Sequence, residues 1–95
     1  LREMSDLLRN KLGNAVVVLG TVWDDKPIFV ANTTLAGYDA SQIVRVAAAA
    51  TGGSGGGKKT LAQGGGVDIS KIDEGLRIAF EYIEKQALSK GDYHA

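Results

Sequence analysis

The sequence predicts a small single-domain α/β protein in which helices cover a mixed β-sheet. Segments of helical and strand periodicity follow one another in the order helix, strand, strand, helix, strand, helix, a pattern typical of helices layered on a sheet. The 95 residues suit one domain spanning 1–95, and an apolar fraction of 44% is ordinary for a globular protein. The formal net charge of zero argues against strong, indiscriminate nucleic-acid binding, and the absence of cysteine excludes zinc–thiolate and disulfide chemistry.

The first half of the chain predicts a helix followed by a β-hairpin. Apolar residues recur every three or four positions over Leu1–Leu12, which indicates an amphipathic helix that ends at Gly13. The β-branched run Ala15–Leu19 indicates a central strand, and Ile28–Ala31 indicates a second strand antiparallel to it. We expect the polar segment Asp24–Pro27 to form the turn between these strands.

The second half predicts two more helices and one more strand. Asp39–Thr51 has helical periodicity, and its first residue is a favourable N-cap. Leu61–Val67 is expected to form a short strand beside the first one. The last helix is expected to begin with Ser70 as its cap and to run to about Leu88, with Phe80 on the apolar face.

One stretch, Thr51–Gly66, departs from these patterns, because glycine makes up eight of its 16 residues. Helix and sheet interiors disfavour that density of glycine, since each one loses much backbone entropy when it is ordered. We interpret the stretch as a shaped loop whose bare backbone approaches a partner; a flexible surface loop is the alternative. Consecutive bare N–H groups can form an anion nest, and Lys58 and Lys59 add positive charge there. A phosphate-rich partner is therefore favoured.

Candidate catalytic residues are few. His94 is the only histidine and lies in the C-terminal tail, and Ser54 has no evident base. Spacings typical of metal ligands are absent, and the glycine pattern fits neither a nucleotide P-loop nor a dinucleotide fingerprint. Trp23 is expected to pack in the core or on the sheet, with base stacking as the alternative role. We therefore expect a noncatalytic domain that carries no metal.

The run from Gly52 to Gly66 resembles the glycine-rich motif in the C-terminal domain of alanyl-tRNA synthetase, a member of the DHH-associated domain family. That motif has a double glycine, a variable residue, a glycine triplet, a basic residue, two variable residues, an apolar residue, Ala-Gln and further glycines, and each of these is present here. Lys58 stands where arginine is commoner, and Lys59 stands where proline is frequent. The flanking helix, hairpin and helix also match, so the resemblance covers nearly the whole chain.

The resemblance implies a noncatalytic fragment of a longer chain, a synthetase in the cytoplasm that attaches alanine to tRNA. Such a module contacts the outer corner of tRNA(Ala), helps aminoacylation and editing share one tRNA, and in many members contributes to a homodimer. It implies no cofactor in this fragment, since ATP, Mg and Zn belong to the parent, and no membrane or DNA partner. Carried over by position, the RNA-binding residues are Gly52, Gly53, Gly55, Gly56, Gly57, Lys58, Lys59, Gln63, Gly64 and Gly65.

Three alternatives remain open at the level of the sequence. A pure dimerisation module would use apolar residues of the first helix, such as Met4 or Leu8, to meet a second copy. Related DHH-associated domains belong to phosphodiesterases, which typically carry a histidine after the glycine run where this chain has Lys58. A freestanding alanyl-tRNA editing protein can carry the same appended domain as the synthetase.

Overall fold

The structure, a computed structural model, describes residues 2–4, 7, 15–35 and 37–90. Arg2–Met4 and Leu7 are helical, and the rest of the first predicted helix, its expected end at Gly13 and the tail that holds His94 lie outside the described residues. The described elements are, in chain order, β1 (Val16–Trp23), β2 (Lys26–Thr33), α1 (Ala40–Ala50), β3 (Ser54–Gly57), β4 (Leu61–Gly65), a short 3₁₀ turn (Ile69–Lys71) and α2 (Ile72–Lys90).

The four strands form one sheet in the order β1-β2-β4-β3. The predicted class, a small domain with helices over a sheet, is confirmed, but the pairings of the described strands are all antiparallel, so the sheet is not mixed. The connections explain this arrangement. The β1–β2 and β3–β4 hairpins give two of the antiparallel pairings. Between them α1 returns the chain to the end of the sheet where β2 begins, so β3 runs in the direction of β2 and β4 runs antiparallel to β2. The strand predicted at Leu61–Val67 exists as β4, but it lies beside β2 rather than β1.

A two-residue turn connects β1 to β2. Asp24 and Asp25 have φ angles of 54° and 59°, the signs required by a type I′ turn, whose twist matches that of the flanking strands. Lys26 and Pro27, predicted to belong to the turn, instead begin β2. Proline is tolerated there because β4 ends nearby at Gly65, and the Pro27 carbonyl accepts a hydrogen bond from the Gly66 N–H at 3.1 Å.

Both helices cover the same face of the sheet, and Phe29 is the largest side chain buried between them and the strands. Its ring fits because two neighbouring positions lack side chains. A Cβ atom at Gly20 would lie 3.2 Å from the ring, and one at Gly75 would lie 2.8 Å from the ring and 2.8 Å from the Ala47 carbonyl oxygen. The core therefore depends on close approach of α2 to both Phe29 and α1.

The face that α2 buries differs in part from the predicted one. Ala79 is fully buried and Leu76 and Ile83 pack against the core, but Phe80, which was predicted on the apolar face, is 53% exposed. Phe80 lies one position, about 100°, around the helix from Ala79, which points it towards solvent. The predicted cap is also displaced, because Asp68 accepts the Ser70 N–H at 3.0 Å while Ser70 itself lies in the 3₁₀ turn.

The ends of α1 have specific caps. Asp39 is the N-cap, as predicted, and its carboxylate accepts hydrogen bonds from the Ser41 N–H at 3.0 Å and the Ser41 hydroxyl at 2.6 Å. The Ser41 hydroxyl is the main cause that lowers the pKa of Asp39, with partial burial opposing it. At the other end Gly52 has a φ of 79°, and the Gly53 N–H bonds the Ala48 carbonyl at 3.0 Å, which is a glycine-terminated Schellman cap.

The glycine-rich segment packs directly on α1. A Cβ atom at Gly55 would lie 2.5 Å from Val44 Cγ1, and one at Gly64 would lie 2.6 Å from the same methyl group. A Cβ atom at Gly56, by contrast, would meet nothing within 4 Å. Gly55 and Gly64 are thus required by the fold itself, whereas Gly56 is not.

The cap at Asp39 predicts a pH-dependent contribution to stability. Asp39→Ala should lower the free energy of unfolding by about 0.5–2 kcal/mol at neutral pH, because the Ser41 N–H loses its acceptor. Since the folded-state pKa of Asp39 is lowered, the contribution is present above the ordinary carboxyl pKa and is lost as pH falls through the folded value. Urea unfolding of wild type and variant from pH 7 to pH 3 measures this, with Asp39→Asn as the matched variant that keeps a neutral cap. A difference that does not shrink in acid would contradict it.

The packing on Val44 predicts opposite outcomes for two adjacent glycines. Gly55→Ala should lower the free energy of unfolding by about 1–3 kcal/mol, because its methyl group overlaps Val44. Gly56→Ala should leave it unchanged or raise it by up to about 1 kcal/mol, because the unfolded chain loses entropy and nothing is displaced.

Urea unfolding at one pH measures both variants. A third variant, Val44→Ala, should relieve part of the Gly55→Ala penalty in a double-mutant cycle, because it removes the overlapping methyl group. Equal losses at Gly55 and Gly56, or no coupling with Val44, would show that the overlap is not the cause.

Candidate nucleic-acid interface

The glycine-rich segment is a β-hairpin rather than the loop that the sequence predicted. Gly52 and Gly53 follow α1, Gly55, Gly56 and Gly57 lie in β3, Lys58 and Lys59 lie in the turn, and Gln63, Gly64 and Gly65 lie in β4. The pairing of β3 with β4 was not predicted, because glycine is uncommon in strands and has no side chain whose alternation would indicate a strand. The structure therefore brings the predicted site residues together, on a rigid element.

The two faces of this hairpin have different roles. Gly55 and Gly64 are paired with each other and face α1. Gly56 and Gln63 are the next pair along, so they point to the opposite side of the sheet. We call this side the outer face; it continues across β2 and β1 through Val30, Ile28, Thr21 and Trp23. The predicted residues are therefore divided between a packing role and an exposed one.

A groove of about 400 Å³ lies on the outer face along the hairpin. Its described lining residues are Arg2, Gly56, Gly57, Lys58, Leu61, Ala62 and Gln63. Among these described residues two carry positive charge and none is acidic. Arg2, Leu61 and Ala62 were not predicted from the sequence as part of the site, because their proximity results from strand register and from the placement of a distant helical turn.

The hairpin turn is held in place by neighbouring backbone. The Ala40 N–H, at the start of α1, bonds the Lys59 carbonyl at 2.8 Å, and the Thr33 N–H bonds the Thr60 carbonyl at 2.9 Å. Within the turn the Lys58 N–H bonds the Leu61 carbonyl at 2.9 Å. The lysine backbone is therefore preorganised, which lowers the entropy that a partner must overcome on binding.

The two lysines have different surroundings. Lys58 lines the groove beside Gly57 and Gln63. Lys59 lies near the N-terminus of α1, where its charge contributes, as the smallest of several causes, to the lowered pKa of Asp39. Both residues are exposed, but the Asp39 carboxylate offsets the field of Lys59 more than that of Lys58. Among the described residues that line the groove, the structure places Lys58 and not Lys59.

β3 forms one edge of the sheet, and of the described strands it pairs with β4. Because the Lys58 N–H bonds Leu61, alternation along the hairpin places Gly55 and Gly57 at positions whose N–H and C=O groups point away from β4. Arg45 Nε donates to one of these groups, the Gly55 carbonyl, at 3.4 Å. The expected nest of consecutive N–H groups is not formed, because extended backbone turns them to alternate sides.

The other candidate features of the described chain do not form a second functional site. Among the described residues no group of three or more His, Asp or Glu side chains could hold a metal ion. Asp24 and Asp25 form the β1–β2 turn, as a polar turn was predicted to lie there. No helix in the described part of the chain is long and apolar enough to cross a membrane.

Trp23 does not pack against the sheet as predicted, because 72% of its surface is exposed. It borders a second depression of about 390 Å³ on the outer face, which adjoins the groove through Arg2 and Gln63. Trp23 is the last residue of β1, beside the hairpin turn.

Comparison with known proteins identifies related sequences over nearly the whole chain. The DHHA1 domain family matches residues 1–85. Alanine–tRNA ligase of Dehalococcoides mccartyi is 52% identical over 81 residues, which cover 81% of this chain and 9% of the relative. Alanine–tRNA ligase of Acetivibrio thermocellus is 47% identical over 90 residues, covering 90% of this chain and 10% of the relative. The chain thus spans about a tenth of the length of these relatives.

A solved structure has the same fold. The crystal structure of the C-Ala domain from Aquifex aeolicus alanyl-tRNA synthetase superposes with a TM-score of 0.76 at 31% sequence identity, covering 85% of this chain and 76% of that one. The predicted resemblance, based on the glycine-rich motif, is confirmed by the family match, the sequence relatives and the structure together. The chain belongs to the DHHA1 domain family, as a C-Ala domain of the alanyl-tRNA synthetase type.

Proposed function

We propose that this domain is a noncatalytic module that binds the outer corner of tRNA(Ala) through the outer face of its glycine hairpin. In this role it would hold one tRNA for the aminoacylation and editing sites of an alanyl-tRNA synthetase in the cytoplasm. Those sites, with their ATP, Mg and Zn, would lie elsewhere in the parent protein. The proposal rests on the family and on one observation, the exposed groove that pairs bare backbone with Lys58 and Arg2.

The geometry of Gly56 supports a partner at this groove. The fold does not require glycine there, because a Cβ atom would meet nothing within 4 Å and the φ angle is not in the left-handed region. A bare Cα atom on an exposed strand allows another molecule to approach the backbone closely. The neighbouring Gln63 amide can both donate and accept hydrogen bonds, as contacts with ribose and phosphate oxygens require.

The distribution of charge also supports an RNA partner. The net charge of the chain is zero, so long-range attraction to nucleic acid is weak and binding must depend on local contacts. Lys58 and Arg2 provide local positive charge in the groove. The outward N–H groups of Gly55 and Gly57 provide further donors at the β3 edge, where a phosphate oxygen could accept.

A homodimerisation module is the second candidate function. It is favoured by the exposure of two apolar residues of the first helical segment, Met4 at 56% and Leu7 at 57%; Leu8, the other residue proposed from the sequence, lies outside the described residues. Sedimentation over a range of concentrations distinguishes this function from RNA binding. The phosphodiesterase and freestanding editing alternatives concern the parent protein, and this chain has Lys58 where the former carry histidine.

The groove predicts that Lys58 contributes more to tRNA binding than Lys59. Lys58→Ala should weaken binding and reduce the slope of log affinity against log salt by roughly one, because one phosphate contact is lost. Lys59→Ala should reduce the slope by less, because Asp39 already offsets its charge.

Binding of a tRNA(Ala) transcript is measured between 50 and 200 mM salt, a range over which roughly six phosphate contacts change affinity by about a thousandfold. Lys85→Ala, on the exposed surface of α2, is the matched control and should leave the slope unchanged. The same slope for wild type and for the Lys58 variant would exclude this groove as the phosphate-binding surface.

Gly56 gives a test that does not involve charge. Gly56→Val should retain most of the stability of the wild type, because a Cβ atom there meets nothing within 4 Å and valine favours strands. It should weaken tRNA binding by at least about tenfold, or roughly 1.4 kcal/mol, by blocking close approach. Affinity is measured together with urea unfolding, and Ser54→Val, at the solvent-exposed start of the same strand, serves as control. A stable Gly56→Val variant with unchanged affinity would show that RNA does not reach this backbone.

A further inference from the structure

Trp23 is the most exposed large apolar side chain among the described residues, with 72% of its surface accessible. It is also the only tryptophan in the chain. Large aromatic side chains contribute much of the binding energy at interfaces, and this one stays exposed beside a depression on a rigid strand, where it is available to another molecule. A type I′ turn and the full register of β1 with β2 hold its backbone in place.

The surroundings of Trp23 form a shallow site on the outer face. Trp23, Thr21 and Ile28 border the depression of about 390 Å³, within the range of roughly 300–1,000 Å³ found for ligand clefts. Thr21 is directly opposite Ile28 in the register, so the two side chains form the floor beside the indole. Arg2 and Gln63 form the side that adjoins the groove along the glycine hairpin.

The separation of Trp23 from Lys58 determines what one partner could span. Trp23 ends the first strand of the sheet and Lys58 directly follows the last one, and the two are about six residues apart along the strand direction. With strand spacings of about 4.8 Å and a rise of about 3.3 Å per residue, that separation is roughly 25 Å. Lys58 and Trp23 would therefore contact different nucleotides of one RNA.

The chemistry of this surface favours RNA over a second copy of the chain. The described residues that line the two depressions include Arg2 and Lys58 and no acidic side chain. A dimer through this face would bring together two surfaces whose described lining residues carry positive charge without an acidic partner, which is unfavourable. An RNA strand instead presents phosphates to the cations and the face of a base to the indole.

We infer that Trp23 is a stacking platform for an exposed nucleobase of the tRNA that the glycine hairpin binds. The base lies on the indole ring over Thr21 and Ile28, and its backbone continues past Arg2 and Gln63 towards Lys58. This inference rests on the proposed function, and it adds a contact that involves π-stacking rather than charge. Arg2 and Gln63 would contact the intervening sugar–phosphate backbone.

The test uses the 95-residue chain, in which Trp23 is the only indole. Titration with a tRNA(Ala) transcript should quench the tryptophan fluorescence as the complex forms, because the base stacks on the ring. Trp23→Ala should weaken binding by about 5- to 150-fold, the range found for a single stacked base, without changing the salt slope. Trp23→Phe should retain most of the affinity, whereas Trp23→Leu, which is apolar but not aromatic, should not.

Val22→Ala is the matched control, since Val22 is also exposed on β1 but points to the opposite face. Thermal unfolding of each variant establishes that the fold is retained. Binding that is lost only in the Lys58 variant, with unchanged fluorescence and unchanged affinity of Trp23→Ala, would overturn the stacking inference and leave the proposed function intact. No binding by wild type would refute the proposed function itself. Sedimentation in which Trp23→Ala abolishes a dimer would assign the indole to a second copy and overturn the inference.

Discussion

The contact between Val44 of α1 and the bare Cα atoms of Gly55 and Gly64 is the constraint on which the rest of the structure depends. A side chain at either glycine would overlap the valine methyl group, so the helix can lie this close to the hairpin only if both strands lack Cβ atoms. The same helix contacts β2 and α2. Its position therefore connects the glycine hairpin to the core around Phe29.

This constraint leaves the hairpin with one occupied face and one accessible face. Packing on α1 and the backbone bonds from Ala40 and Thr33 order a segment whose composition alone would favour flexibility. The hairpin therefore loses its conformational entropy when the domain folds rather than when it binds a partner. The accessible face then holds the backbone of Gly56, Lys58 and Gln63 in place along the groove. A surface that contacts the sugar–phosphate backbone of an RNA needs such a fixed arrangement.

A neutral domain with a small basic groove suits a role as an appended module. Few phosphate contacts give modest affinity on their own, but a tethered module adds to the affinity of its neighbours through a high effective concentration. In the proposed function, the outer face would position one tRNA, and the stacking of a base on Trp23 would add affinity that does not depend on salt. Such a surface can be selective for folded RNA without the high charge that attracts any polyanion.

The sequence by itself determined the family through the motif from Gly52 to Gly66, the cap at Asp39, and the class of a sheet covered by helices, because these depend on local residue types and short spacings. Tertiary structure alone decided the antiparallel pairing of β4 with β2, the strand identity of Ser54–Gly57 and the exposure of Trp23. Glycine has no side-chain periodicity from which pairing could be predicted, and exposure depends on which elements cover a face. The register of the four strands was likewise needed to distinguish Gly55 and Gly64, which α1 requires, from Gly56, which faces outward into open space.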